Sequence, residues 1–429
     1  MTKVRVERGR RVWGPRRGRL YLLAGLALLA AGLTSTVDPA LASSGGAGIG
    51  GSGVTHARAP ARKATVNPFA GRAMWIWVLS QSDGGNLSSI IATARRYHVN
   101  TLMIKSGDGS GMWSQFTPQL VATLHAAGLQ VCAWQYVYGS HPASEAQVGA
   151  TAVKDGADCL LIDAETEYEG KYVSAQTYIS QLRSLIGASF PVALAGFPYV
   201  DYHPAFPYSV FLGPDGAQYN VPQMYWADIG TTVDLAYAHT FVFNRLYQRP
   251  IFPLGQVYNH PPPSQIVRFR QLSRAYGASG VSWWDWQEAT FAGWRALSQP
   301  AGPPASFTAD ASLASVGLHA QGDLVVWAQQ HLYAAGQRTT IDGAFGAQTR
   351  AAVRRFQTAQ GLRPTGLIDA ATWRLLLRYA PTRVRWSSGS ARVASAASAS
   401  GTRPVPKSAS LPAVRDEIAG AGGAGGRRR

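Results

Sequence analysis

Between Cys159 and Glu169 the sequence CLLIDAETEYE runs from four apolar residues into acids at alternate positions: Asp163, Glu165, Glu167 and Glu169. Alternate residues of a strand project to one side. Asp163 and Glu165 would therefore share a face, with Cα atoms about 6.6 Å apart. Paired carboxylates at that range suit glycoside hydrolysis, where one acid protonates the leaving oxygen and an anion steadies an oxocarbenium-like transition state. The donor must keep its proton near neutral pH, and burial beside a second negative charge raises a carboxyl pKa in that direction. Glu165, with the longer side chain and outer position, is the expected proton donor. Asp163 is the expected ionised stabiliser, and Glu167 and Glu169, past the strand, read as solvated loop charges. The same spacing also admits a cap on the following turn or an ion pair with Lys105. A hard divalent cation is a further alternative, but acids concentrated on one strand make a poor cage, so no metal and no cofactor are expected.

Such acids need a scaffold that gathers strand ends. Apolar runs recur at Met74–Val78, Thr101–Ile104, Gln130–Tyr136, Cys159–Ile162, Val192–Ala195, Val221–Tyr225, Ile251–Gln256 and Val281–Trp284. Helix-like stretches separate them, among them Leu87–Tyr97, Phe116–Ala127, Val173–Ile186, Val233–Tyr247 and Ser264–Tyr276, with Phe206–Gln218 the weakest. Eight strand-then-helix repeats predict a parallel (β/α)8 TIM-like barrel, which collects functional residues at the C-terminal ends of its strands. A doubly wound open sheet would want a glycine-rich phosphate turn after the first strand, and WVLSQSDGG is a poor one. Reading the runs to their ends gives Lys105, Gln135, Asp163 with Glu165, Tyr199, Gln223 with Tyr225, Gln256 and Asp285; Asp228 lies just beyond the sixth run, its direction open. Trp75 and Trp77 share one face of the first strand, Trp226 follows the sixth, and Trp283, Trp284 and Trp286 crowd the eighth. Aromatic faces pack against sugar rings, so this distribution favours carbohydrate, although many of these rings also suit an ordinary core.

The 429-residue chain carries a formal charge of +17. Residues 1–42 hold eight Lys/Arg against Glu7 and Asp38, a net of +6, which leaves about +11 for the rest. Such a surplus suits an anionic cell wall, a membrane surface or nucleic acid. No zinc-finger, RNP-like or basic-helix pattern accompanies it, so no nucleic-acid partner is expected. RRVWGPRRGR, the apolar LYLLAGLALLAAGL and the small-x-small ALA at 40–42 make a secretory signal peptide, its apolar core shorter than the roughly 20 residues of a membrane span. The expected protein is secreted, with no stable membrane insertion after cleavage. Cys132 and Cys159 lie in apolar runs and are expected to pack as buried thiols, although export permits a disulfide. Composition divides the chain into a signal peptide (1–42), a Gly/Ser-rich linker (43–71), the barrel (72–297), a linker (298–312), a compact block (313–378) and an unstructured basic tail (379–429).

The compact block resembles the widespread peptidoglycan-binding domain of the three-helix type. The carrying residues are Gly322-Asp323, Leu332, Gly336, Asp342-Gly343, Phe345-Gly346, Thr349, Ala352-Val353, Phe356-Gln357, Gly361-Leu362, Gly366, Asp369 and Thr372-Trp373. Val353, Phe356 and Gln357 keep a helical period, and Asp369 is placed to cap the last helix, so most of these residues define a fold. The resemblance implies a small all-α domain that binds peptidoglycan, following the α/β barrel. More loosely, LIDAE and VPQMYWAD are similar to the fourth and sixth strand ends of the lysozyme-like barrels of glycoside hydrolase family 25. That likeness implies Glu165 as acid, with Asp163 stabilising an intermediate formed with the sugar's 2-acetamido group. It also implies an aspartate on the first strand, and AMWIWVLS has none; Asp285 on the neighbouring eighth strand is the candidate replacement. The expected catalytic residues are thus Glu165, Asp163 and Asp285, and the expected substrate-binding residues Trp75, Trp77, Lys105, Gln223, Tyr225, Asp228 and Trp284. The expected activity is lysozyme-like cleavage of peptidoglycan glycan strands. The alternatives are a peptidoglycan-binding protein with a degenerate barrel, and a glycosidase for another exopolysaccharide.

Overall fold

The computed structural model describes residues 67–387. The proposed signal peptide and most of the first linker and basic tail lie outside these residues. Eight parallel strands form the barrel: β1 (Gly71–Ile76), β2 (Thr101–Asp108), β3 (Gln130–Val137), β4 (Cys159–Ala164), β5 (Val192–Ala195), β6 (Tyr219–Asn220), β7 (Leu254–Gln256) and β8 (Gly280–Trp284). Each pairs with its neighbour in chain order, and β8 pairs with β1. Parallel bridges Asn220↔Ile251 and Gln223↔Leu254 join β6 to β7 and close the ring. The sixth apolar run was expected at Val221–Tyr225, yet regular pairing covers only Tyr219–Asn220. Pro222 has no N–H to give to the ladder there, so pairing resumes as a single bridge at Gln223.

Helices cover the outside: α1 (Leu87–Arg96), α2 (Pro118–Ala126), α3 (Pro142–Lys154), α4 (Tyr172–Ile186), α5 (Tyr208–Phe211), α6 (Trp226–Ile229), α7 (Val233–Asn244), α8 (Pro263–Ala275) and α9 (Phe291–Ser298). Asn86, Thr117, Thr232 and Thr290 start α1, α2, α7 and α9 by accepting a backbone N–H three residues on, the usual N-cap bond. The helix expected over Phe206–Gln218 shrinks to α5, because Gly213, Pro214 and Gly216 follow at once.

Strand alternation sorts the apolar residues into two layers. Met74, Ile76, Leu102, Ile104, Val131, Leu160, Ile162 and Leu194 face the helices. Trp75, Met103, Cys132, Trp134, Cys159, Leu161, Ala193, Ala195 and Tyr225 fill the barrel interior. Cys132 and Cys159 are register partners on β3 and β4, with Cα atoms 4.6 Å apart, and they form a disulfide in place of the buried thiols expected from sequence. Register partners on neighbouring parallel strands project to one side at one height, which brings two cysteines within bonding reach; composition alone carries no register.

Three further helices, α10 (Asp323–Ala334), α11 (Ala347–Ala359) and α12 (Ala370–Leu376), form the small C-terminal unit. Two buried glutamines organise its turns. Gln329 Oε1 accepts from the Asp342 and Gly343 N–H groups, and Gln357 Oε1 from that of Gly366. Asp369 caps α12 by accepting from Thr372 N at 2.8 Å, and Trp373 is fully buried.

The unit is docked on the barrel. Residues 299–312 contain no helix or strand, but Phe307 packs on Tyr276 and the Asp310 carbonyl accepts from Arg245. Asp323, fully buried, accepts from Tyr172 Oη (3.0 Å), Ser209 Oγ (2.6 Å), Ser209 N (2.9 Å) and Tyr247 Oη (2.8 Å). A Cβ on Gly322 would sit 2.4 Å from the Pro204 carbonyl oxygen, and the φ of +105° there suits glycine. Residues 379–387, assigned by composition to the unstructured tail, instead run back along α4: Trp386 is buried against Tyr172, and Gln176 bonds the backbone of Val384 and Trp386.

Candidate active site

Asp163 keeps the inward parity of Cys159 and Leu161, and Glu165 follows just past the end of β4. Gln223, on the segment bridged to β7, donates from one nitrogen to both acids: Nε2 lies 2.9 Å from Asp163 Oδ1 and 3.0 Å from Glu165 Oε1. Those two oxygens are therefore at most 5.9 Å apart. Asp163 is only 7% exposed, whereas Glu165 is half-buried and nearer the opening.

Burial raises the Asp163 pKa well above the usual carboxylate value, Glu165 adds to the rise, and Lys105 and the Gln223 hydrogen bond oppose it. Burial raises Glu165 as well, with Gln223 and His203 opposing and Glu167 reinforcing. Two acids so close titrate as one pair. The pair therefore keeps a proton to a higher pH than an isolated carboxyl does, as a proton donor near neutral pH requires.

Other groups line the same mouth. Lys105 shares the inward parity of Met103 and is buried, but its ammonium pairs with Asp108 at 2.6 Å rather than with Asp163. That ammonium also lies 4.4 Å from the Trp113 ring centre, 4.9 Å from Trp134 and 6.0 Å from Trp77. Tyr225 lies inside the barrel, and burial raises its pKa, with Tyr258, Asp163 and Glu165 adding to the rise. Asp228 stands exposed on α6, held by Tyr258 Oη and, at 3.0 Å, by Asn259 Nδ2; it belongs to the rim.

The tryptophans divide by exposure. Trp284 sits 5.3 Å from Trp134, 5.7 Å from Trp75 and 6.3 Å from Trp77, ring centre to ring centre. Trp75, expected to touch substrate, is 1% exposed beneath this group and belongs to the floor. Trp77, at 43% exposed, and the half-buried Trp284 and Trp113 offer ring surface to a ligand. Trp283 and Trp226 face outward against Phe269, and Trp286 packs on Trp294.

Several strand-end residues support the mouth without entering it. Gln135 points to the helices, where it donates to the Gly109 and Glu145 carbonyls. Gln256 accepts from Ala227 N at the start of α6, and Tyr199 stacks on His239 at 3.9 Å. Asp285 is fully buried and neither carboxylate oxygen has a hydrogen-bond partner. Burial pushes its pKa up to about 7, Glu288 adds to the rise, and the nearby N–H groups of Glu288 and of Asp285 itself offset it in part.

Trp113 escapes the sequence reading, and so do two polar residues of the mouth. Tyr136 is the register partner of Asp163 and donates to Glu167 Oε2 at 2.7 Å. Its parity with Cys132 and Trp134 could have revealed it. Asp108 follows a bulge between Lys105 and Gly107 that shifts the alternation, so nothing in the pattern points to it.

Comparison with known proteins separates the two parts of the chain. Residues 321–376 match the family model described as "Putative peptidoglycan binding domain". An uncharacterized protein from Kitasatospora aureofaciens is 44% identical over 54 residues, 12% of this chain and 46% of that protein, so the chain spans about half the length of the curated relative it matches. A crystal structure of a peptidoglycan-binding protein from Clostridioides difficile is 36% identical, covering 15% of this chain and 40% of that one, with a TM-score of 0.15. The barrel is similar to the spore cortex-lytic enzyme SleL of Bacillus cereus (10% identity, 55% of this chain and 75% of that one, TM-score 0.40). It is also similar to a class V chitinase from Pseudomonas fluorescens (9%, 53% and 98%, TM-score 0.42). The protein is thus an α/β TIM-like barrel carrying a C-terminal helical domain of the peptidoglycan-binding family.

Proposed function

We propose that the protein is a secreted, cell-wall-associated glycoside hydrolase that cuts peptidoglycan glycan strands in the manner of a lysozyme. The observation that carries this reading is the acid pair: two inward carboxylates held on one Gln223 nitrogen, beside exposed tryptophan faces. Glu165, nearer the opening, gives a proton to the glycosidic oxygen, and Asp163 beneath it orients and steadies the positive charge that develops on the sugar. Trp77 and Trp284 bind the sugar rings, and Lys105, Gln223 and Tyr225 fix the depth of entry. The C-terminal domain, docked beside the barrel, holds the mouth close to the wall and raises the local concentration of glycan.

A second reading, a wall-binding protein with a degenerate site, is favoured by one observation. β1 brings no acid to the mouth, presenting the buried Trp75 and the exposed Trp77 instead. Incubation with purified cell walls, followed by mass spectrometry of released fragments, separates the two. New reducing ends made by the wild type and not by Glu165→Gln support hydrolysis; no new reducing ends from either, with wall binding retained, support the binding protein. The sugar at the new reducing end distinguishes cleavage after muramic acid from cleavage after glucosamine, and the absence of both product and wall binding redirects the search to other exopolysaccharides.

A further inference from the structure

At the opposite end of the barrel, three arginines line one cleft of about 240 Å³: Arg72 at the start of β1, and Arg270 and Arg274 one turn apart on α8. His98, Asn100 and Ser279 complete its wall. Buried charges are ordinarily paired with opposite charge, because an unpaired ion in a low-dielectric interior is costly. None of these three is paired with a carboxylate among the described residues. Arg270 is 95% removed from solvent, at 5% exposure, and its guanidinium has a single protein acceptor, the Ala296 carbonyl at 2.9 Å. Arg72 spends one terminal nitrogen on the Tyr97 and His98 carbonyls, and its Nε is buried without an acceptor. Arg274 is exposed and has no hydrogen-bond or ion-pair acceptor in the described structure.

Like charges at i and i+4 on one helix repel, and Arg72 adds a third. Burial lowers the Arg72 pKa to about 10 with Arg274 contributing, and lowers that of Arg270 to about 10 with Arg72 and Arg274 contributing. Carbonyls at the C-terminal ends of α1 and α9 give part of the compensation, as helix C-termini do for cations. Most of the guanidinium N–H donors of the three arginines have no acceptor within the described residues. A carboxylate offers two oxygens and is satisfied by one arginine fork; three forks on one cleft match a tetrahedral oxyanion with more acceptor oxygens.

We propose that this cleft is a phosphate-binding site, separate from the carbohydrate mouth, that takes a phosphate group from a phosphodiester polymer of the cell envelope or as the free ion. Such a site grips an anionic polymer at the barrel's base while the mouth meets glycan, and it does not depend on the mouth being catalytic.

The test is calorimetric titration of the full chain with inorganic phosphate and, separately, with a short poly(glycerol phosphate) chain, alongside Arg274→Ala and Arg274→Lys. Arg274 is exposed and touches no other side chain by hydrogen bond, so its replacement leaves the fold intact; circular dichroism and the melting temperature verify this. The expected result is phosphate binding that weakens with salt, falls at least tenfold in Arg274→Ala and recovers in part in Arg274→Lys. Tighter binding of the polymer than of the ion assigns an envelope polymer, and equal binding assigns free phosphate. Absence of binding to both probes, or affinity in Arg274→Ala equal to wild type, overturns the site, since the remaining basic surface then accounts for any attraction.

Discussion

Two buried aspartates, one in the barrel mouth and one in the seam between the barrel and the C-terminal helices, separate chemistry from cohesion. Asp323 in the seam receives four hydrogen bonds from Tyr172, Ser209 and Tyr247, and although burial pulls its pKa up to about 6, it is ionised at neutral pH. Asp163 in the mouth receives one side-chain hydrogen bond, shared with Glu165, and its pKa stands well above the ordinary range. A carboxylate with every lone pair occupied is a structural joint. One left under-satisfied beside a second acid remains free to exchange a proton or to meet a substrate.

The largest effect that sharpens this contrast is expected at the mouth. Glu165→Gln should lower the rate of wall hydrolysis by about 10²–10⁴-fold, the usual contribution of a general acid, with urea-denaturation stability little changed. A variant that loses stability instead would move Glu165 into the structural class. In the seam the balance reverses. Asp323→Ala strands four donors and should cost about 4 kcal/mol or more in urea denaturation. An undiminished midpoint would show that the docking is not held by this carboxylate.

The interior between these regions carries its own staple. Replacing Cys132 and Cys159 together by Ala opens a link spanning 27 residues, and the lost loop constraint should cost about 3 kcal/mol, read from the same denaturation curve. Little change there would mean that packing alone holds β3 against β4. The smallest effect is expected at Asp285. Its folded pKa, about 7, lies above its ordinary value of 3.8, so the folded state holds the proton more tightly than the unfolded state. Its contribution to stability is then full below about pH 4 and is lost as pH rises through 7. Asp285→Asn should flatten that decline and gain about 1–2 kcal/mol at pH 8, less than the whole electrostatic cost because the new amide is also unpartnered. Full hydrolytic activity in the same variant would show that Asp285 does not replace the first-strand acid as the sequence reading expected.

Much of the barrel was legible because a strand faces two environments and writes them into the chain with period two. The apolar runs ending in Lys105, Asp163 and Gln223 announced both the repeat and the mouth. The same alternation separates Trp284 from Trp283 in the structure, since one ring packs inside and the other against α8. It failed where the ladder is irregular. The bulge after Lys105 hid Asp108, and Pro222 displaced the pairing of the sixth strand. Gln135 and Tyr199 shared strand-end positions with the site but faced the helices, a difference that lies in their direction rather than their residue type.

By itself, the sequence determined the alternation of strands and helices, the position of the acids at the end of β4 and the peptidoglycan-binding pattern of the last helices, because each follows from short-range spacing. Tertiary structure alone decided the disulfide, the sharing of Gln223 between two acids, the burial of Asp323 and the meeting of Arg72 with Arg270 and Arg274. These join residues from 27 to about 200 positions apart. Their contact depends on register and on closure of the ring, which no local pattern encodes.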